Sequence, residues 1–355
     1  MNVPVLLRRL PPLRDPPAKP ADPLGEQTRQ SIRGGTRAAS DVAAIDSLLV
    51  PAFRTADQQA LVAQNSWARR EVGLLGLSGL LVVASSIQVA YGPDAQWPSV
   101  LVATLGALSS VLAGTTKSTD ARGAYLRARR EAERLRSLAW THLARPEPDE
   151  PAARARVLRR TIAAIRLQTV EGSGDTRAEA LDEAAASGSG HQTSPVASDP
   201  TSEDLVDRYL TGRLDAQRRW YRRRQAEFDA AERQGGKART LLLITAGLLG
   251  AVSTPDFAQD YREWLGVAAT AATALSAIAT GWMRLQAFDT RARLYELTAA
   301  RLDVAEADRP PVVDPLFAAN YVGQCEDVLL AEHGAWTTQT PRGAREPSPG
   351  PQASQ

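Results

Sequence analysis

The sequence predicts an all-α integral membrane protein made of two tandem transmembrane helical hairpins, four spans in all, and three observations carry this. Four stretches of the 355 residues are apolar and almost free of charge. They come in two pairs, each pair joined by a short connection. Arginine and lysine crowd the outer ends of both pairs and nearly vanish from the two connections.

Composition sets the outer limits. The length allows two domains. Hydrophobic residues make up 43% and the formal net charge is only +2, an average that hides strong segregation of arginine along the chain. The single cysteine, Cys325, cannot form an internal disulfide, which fits a cytoplasmic or inner-membrane setting. The apolar run at residues 3–7 is cut off by Arg8, Arg9, Pro11 and Pro12, too soon for a secretory signal. Insertion is expected to begin at an internal span.

Three segments have the composition of disorder. Residues 1–40 are rich in Pro, Arg and Gly and offer too few apolar groups to offset the entropy of ordering. Residues 171–200 (EGSGD, ASGSG, SPVASDP) read as a linker, and residues 338–355 as a disordered tail. What remains is a first two-span unit at 41–170 and a second at 201–337.

In the first unit, residues 72–91 (VGLLGLSGLLVVASSIQVAY) and 98–116 (PSVLVATLGALSSVLAGTT) carry no charge. About 20 residues at 1.5 Å each cover the roughly 30 Å of hydrocarbon. In the second unit, residues 264–283 (WLGVAATAATALSAIATGWM) meet the same length. Residues 240–254 (TLLLITAGLLGAVST) cover only about 22 Å. That span is expected over 237–254, with Lys237 and Arg239 snorkelling toward the headgroups. A soluble bundle of four buried helices is the alternative, but soluble helices of this length usually keep a polar stripe.

The two units read as repeats. Val72 and Leu241 lie 169 positions apart, and so do Asp120-Ala-Arg122 and Asp289-Thr-Arg291. Orientation follows from the cationic flanks. Arg69, Arg70, Lys117, Arg122, Arg127, Arg129, Arg130, Arg222, Arg223, Arg224, Lys237, Arg239, Arg284, Arg291 and Arg293 all fall on one side. The two connections hold one arginine, Arg262, among four acidic residues. Both termini are therefore expected in the cytoplasm, with the chain multi-pass in the inner membrane.

The flanking segments read as helices. Thr55 to Gln58 has capping-box spacing ahead of the first span. Residues 120–144 are rich in Arg, Glu and Leu. Ser202 is placed to cap a long helix through Tyr209, Leu210, Leu214, Trp220, Tyr221 and Phe228. Residues 291–305 are expected to continue the last span, and a final amphipathic helix carries Phe317, Tyr321, Val328, Leu329 and Trp336. Packing on one another is the simple role for these helices. A trigger or assembly surface is the sharper one, and periodicity does not separate the two.

No catalytic set emerges. There is no Walker loop, HExxH or GxSxG. Of the three histidines, His142, His191 and His333, the last lies eight residues after Cys325. On one helix that places them roughly 80° and 12 Å apart, too far for direct thiolate activation. No enzyme, metal or cofactor is expected. The arginines at 218, 219 and 222–224 fit topology signals or anionic lipid better than nucleic acid. Within the spans, Gly106, Ser110 and Gly114, and Ala269, Thr273, Ala277 and Gly281, form small-residue faces at four-residue spacing. Thr273, Ser276 and Thr280 add a hydroxyl stripe that suits helix packing or, alternatively, a wet pore lining. The absence of ionisable residues inside the spans argues against an ion-coupled transporter.

The second unit resembles a known family. Residues 209–233 (YLTGRLDAQRRWYRRRQAEFDAAER), a span pair and residues 321–336 (YVGQCEDVLLAEHGAW) are similar to the SLATT domain, the two-span effector associated with nucleotide second-messenger systems in prokaryotes. Arg213, Gln217, Trp220 and Tyr221, then Glu326, Asp327, Glu332, His333 and Trp336, carry the likeness. The first hairpin resembles a second, more divergent copy. The resemblance implies a pore-forming or membrane-perturbing effector that forms homo-oligomers and works with a nucleotide-sensing or nucleotide-synthesising partner. A membrane scaffold that recruits a soluble partner is the competing expectation.

Overall fold

In the computed structural model, residues 22–26, 28–29, 36–91, 96–118, 121–145, 150–171, 200–254, 260–309 and 314–338 are described. No strand occurs among them. The linker expected at 171–200, the connections around Pro255 and Asp256, Asp120, and the tail beyond Thr338 lie wholly or largely outside the described residues.

Among the described residues the α-helices run in order α1 (Thr36–Ala44), α2 (Val50–Tyr91), α3 (Gln96–Ser118), α4 (Ala121–Ala144), α5 (Pro151–Glu171), α6 (Pro200–Tyr209), α7 (Asp215–Val252), α8 (Arg262–Gln286), α9 (Phe288–Ala307) and α10 (Pro315–Thr338). Four helical stretches among the described residues are long and apolar enough to cross a membrane, and each overlaps one of the four expected spans. The chain is a multi-pass membrane protein.

Two π-turns, Ile45–Leu49 and Leu210–Leu214, lie between α1 and α2 and between α6 and α7. The first turn has a local cause. Pro51 has no N–H and its ring would press on the carbonyl four residues back. A wider turn just before it, closed by Val50 N–H donating to the Ile45 carbonyl, relieves that crowding.

Several elements differ from the expectations. Thr55 does not start a helix, because α1, the π-turn and α2 run on from Thr36. Val42, Ile45, Leu49 and Phe53 are buried at three- and four-residue spacing, and this stripe overrides the local capping pattern. Ser202 is likewise inside a helix that begins at Pro200, a residue suited to the first turn, where its missing N–H costs nothing. The last span does not continue straight into the next helix. Ala287 takes a left-handed backbone (φ 46°) and ends α8 before α9 begins. Helix α5 had no counterpart among the expected elements; its Leu158 and Ile162 are buried. Nor is all of the first 40 residues without packing. Leu24 is buried, Arg29 pairs with Asp22 at 2.6 Å and also with Asp46, and Thr28 sits against Gly212.

By contacts the chain divides into two compact units, and each draws on both sequence halves. One comprises Arg54–Arg129 and Ala216–Ala299 and contains the four spans. The other comprises Asp22–Phe53, Arg130–Asp215 and Ala300–Gln355. In the second unit α1 packs on α5 and α6 on α10, so each half pairs the helix before its hairpin with the helix after it.

Candidate functional site in the spans and their polar locks

In the membrane unit, glycines decide which spans meet. A methyl group on Gly79 would strike Ile278, and one on Gly281 would come within 2.6 Å of Leu75. Spans one and four therefore touch through α2 and α8 at two glycines. Gly73 faces Leu112, and Gln88 donates to the Ser99 hydroxyl at 3.0 Å, joining spans one and two. Gly235 faces Met283 and joins α7 to α8. At the connection ends, Tyr91 meets Trp97 and Trp264 edge-on, with ring centroids 5.3 and 5.8 Å apart. This clamps the two hairpins with the amphipathic rings that suit a membrane interface.

The expected small-residue faces divide. On span four, Gly281 is used against span one, Ser276 is buried, and Thr280 is partly covered, while Thr273 and Ala277 are exposed. On span two, Gly106 and Gly114 have no described atom within 4 Å of where a side chain would project, and Ser110 is exposed. The hydroxyls turn inward on their own helices. Thr273 donates to the Ala269 carbonyl, Thr280 to Ser276 and Ser110 to Gly106, each at 2.9 Å. A hydroxyl satisfied this way needs neither water nor a partner helix.

Below the spans, an aromatic cluster gathers two of the family-motif rings, Trp220 and Tyr221. Trp220 meets Tyr221 and Tyr295 with centroids 5.0 and 5.4 Å apart, and Phe228 meets Phe288 and Tyr295 at 5.6 and 5.5 Å. Tyr221 is buried and Gln217 partly so. Arg224 lies over Trp220 and bonds Glu227 at 3.1 Å. Because α7 is one helix, Arg222, Arg223 and Arg224 stand roughly 25 Å along it from Thr240. They are near enough to act as topology signals but too far from the apolar segment for headgroup contact along a straight helix.

Among the described residues of the second unit, two ion pairs are buried. Arg213, in the π-turn, donates from Nε and Nη2 to the two oxygens of Glu326 at 3.0 and 3.1 Å, and the Tyr209 hydroxyl donates to the same carboxylate at 3.0 Å. Burial works against the Arg213 charge, but Glu326 outweighs it and raises the guanidinium pKa above its ordinary value. Burial and the Glu326 charge hold the Tyr209 phenol protonated, well above its usual range, so it remains a donor. Next to them Cys325 is fully buried and its thiol is pushed up to about 11, chiefly by burial.

The other pair is Asp41 with Arg154. Nε and Nη2 of Arg154 reach the two Asp41 oxygens at 2.8 and 2.6 Å, and Arg154 also donates to the carbonyls of His142 (3.0 Å) and Arg145 (3.1 Å). His142 Nε2 stands 3.6 Å from Asp41. Burial raises the Asp41 pKa, but the nearby His142 and the bidentate Arg154 more than offset this and leave it below the usual carboxylate value.

Arg213 and Glu326 were both among the motif residues, and the structure brings them together. Asp327 is exposed, and the side chains of Glu332, His333 and Trp336 lie outside the described residues. Asp41, Arg154 and Tyr209 were missed as site residues. For Asp41 and Arg154 the one signal is spacing: they are 113 residues apart, as are Arg213 and Glu326. Among the described residues no three His, Cys, Asp or Glu side chains gather as a metal site.

Residues 209–336 match the SLATT family model described as SMODS and SLOG-associating 2TM effector domain 1. No curated protein and no solved structure matches the chain.

Proposed function

With a two-transmembrane effector domain of the SMODS and SLOG-associating kind at residues 209–336, we propose that this chain is the membrane effector of a prokaryotic conflict or stress response to a nucleotide signal. It acts by assembling into homo-oligomers that open a conduction path or perturb the bilayer. The supporting observation is the face of span two. Gly106, Ser110 and Gly114 are open, whereas Gly73, Gly79 and Gly281 on spans one and four already face a neighbouring side chain. Small faces of this kind let a second helix approach closely in lipid.

Residues 41–170 act as a divergent second copy of the same domain. The common 113-residue spacing of the two buried ion pairs and the 169-residue offset of the hairpins support this. The cationic flanks support cytoplasmic termini and an inner-membrane location. The signal comes from a nucleotide-sensing or nucleotide-synthesising partner, and no nucleic acid is bound.

Reconstitution in dye-loaded liposomes tests the proposal. Signal-dependent leakage is expected, together with its loss in Gly106→Leu/Gly114→Leu protein that still inserts. Unchanged permeability in the presence of the cognate signal removes the idea. A scaffold that recruits a soluble acidic partner is the second reading, favoured by the exposed Arg219 and Arg223 on α7, about 25–30 Å along the helix from Thr240. It predicts stoichiometric capture of that partner and no leakage.

A further inference from the structure

The two buried ion pairs share one spacing of 113 residues, so α5, which carries Arg154, and α10, which carries Glu326, hold the same place in the two halves. Their charges are opposite. Helix α5 has five arginines and no acid before its last residue, whereas α10 has three acids and neither lysine nor arginine. Each helix uses one charge in its own buried pair. On α5, Arg156, Arg159 and Arg160 are exposed within one arc of about 100°, and the buried Leu158 and Ile162 lie on the other side of the helix. None of these three arginines takes an ion pair among the described residues. On α10, Asp327 is exposed on the side away from the buried Tyr321, Val322 and Cys325. Next to it an open groove of about 400 Å³ runs between α9 and α10, lined by Val304 and Val328 among others, with the exposed Asp308 at one end. Asp308 takes no ion pair among the described residues. Arg301 lines the same groove two turns away, about 10 Å along α9.

We propose that a second copy of this chain covers these surfaces head to tail: the arginine face of α5 in one copy docks on the acidic face of α10, and on the groove beside it, in the next. The charge inversion selects this arrangement. Packing α5 on α5 would set arginine on arginine, and α10 on α10 would set acid on acid. Because α5 and α10 are equivalent in the two halves, rotation about the membrane normal brings them together at one depth and keeps every copy the same way up. A heterologous contact of this kind builds a ring when the rotation closes. Within one copy the contacts run from α5 to α4 (Arg134 to Gln168, 2.7 Å), from α4 to α6 (Trp140 to Tyr209) and from α6 to α10. The two charged faces thus belong to the two ends of this series. Arginine suits the contact, since its stem covers apolar lining such as Val304, which is 60% exposed, while its head reaches a carboxylate at the rim. The proposal extends the oligomer reading above to the second unit and does not use the open face of span two.

The test measures self-association of the full chain in detergent by sedimentation over a range of concentrations. R156E/R159E/R160E is expected to weaken association about tenfold, and D308R/D327R to do the same. A folded chain with both sets of changes has its charges exchanged and should regain wild-type association to within about threefold. Raising salt from about 0.1 M to about 1 M shortens the screening length from roughly 10 Å to roughly 3 Å and should weaken wild-type association in the same sense. Oligomers indifferent to both reversals would leave α5 to a soluble acidic partner and overturn the proposal. Failure of the exchanged chain to recover overturns it too. Should a reversal prevent folding, R156Q/R160Q decides the matter: a loss of about threefold is expected, and no loss overturns it. Leakage is not read. Gly106→Leu/Gly114→Leu protein should keep the salt dependence, so failure of the span-two reading and failure of this one are told apart.

Discussion

Arg213 and Glu326, 113 residues apart in sequence, meet as a buried bidentate ion pair that joins the π-turn before one hairpin to the helix after it. Asp41 and Arg154 do the same for the other half with the polarity reversed, the acid coming first. The reversal discriminates between partners. A cross-pairing of the halves would set Asp41 against Glu326 and Arg154 against Arg213, like charges out of water in both cases.

Removing one member of the first pair should therefore be costly. Glu326→Ala leaves the Arg213 charge buried and is expected to lose about 3–5 kcal/mol. Arg213→Met/Glu326→Met is expected to lose clearly less, because neither charge remains. Thermal unfolding in detergent measures both, and equal losses would contradict the pairing.

The second pair predicts an acid limit. Asp41 titrates below the ordinary carboxylate value in the folded chain. A group with a depressed folded pKa stabilises the fold above its unfolded value, about 3.9, and that contribution is lost as pH falls through the folded value. Stability of the wild type should thus drop below about pH 4. Asp41→Asn is expected to be less stable at neutral pH and to show a flatter acid limb in unfolding at fixed temperature.

Glycine substitutions separate a filled face of the spans from an open one. Gly281→Ala forces a methyl group toward Leu75 and should cost about 1–3 kcal/mol through overpacking. Gly114→Ala meets open space and should cost nothing, raising stability by up to about 1 kcal/mol through helix propensity. Comparison of the two melting curves at equal protein concentration checks this.

Ala287 has the one positive φ among the described non-glycine residues, at a cost of about 1–2 kcal/mol. Ala287→Gly relieves that strain but loosens the unfolded chain, so a gain of up to about 1 kcal/mol is expected. A clear loss of stability would show that Ala287 is not strained.

Cys325 is fully buried and its thiol is pushed up to about 11. Little thiolate exists near neutrality, and what forms is shielded. Alkylation by iodoacetamide at pH 7.5 should be slow in folded protein and fast after denaturation, as followed by mass spectrometry.

The sequence by itself determined the four spans and their pairing into hairpins. Hydrocarbon thickness demands a long uncharged run, and a run of that kind is visible without any knowledge of neighbours. It also marked Arg213, Trp220, Tyr221 and Glu326, through resemblance. Only the tertiary structure decided what those residues do, because a buried charge is defined by its partner, and that partner lies more than a hundred residues away. The same reason hid Asp41 and Arg154, which look like surface residues when read along the chain. Tertiary burial also explains the misplaced helix start at Thr55. A cap is a local preference of about 1 kcal/mol, and burial of several apolar side chains on one stripe exceeds it. The division into two units drawn from both halves follows likewise from contacts distant in sequence, which no single stretch of sequence contains.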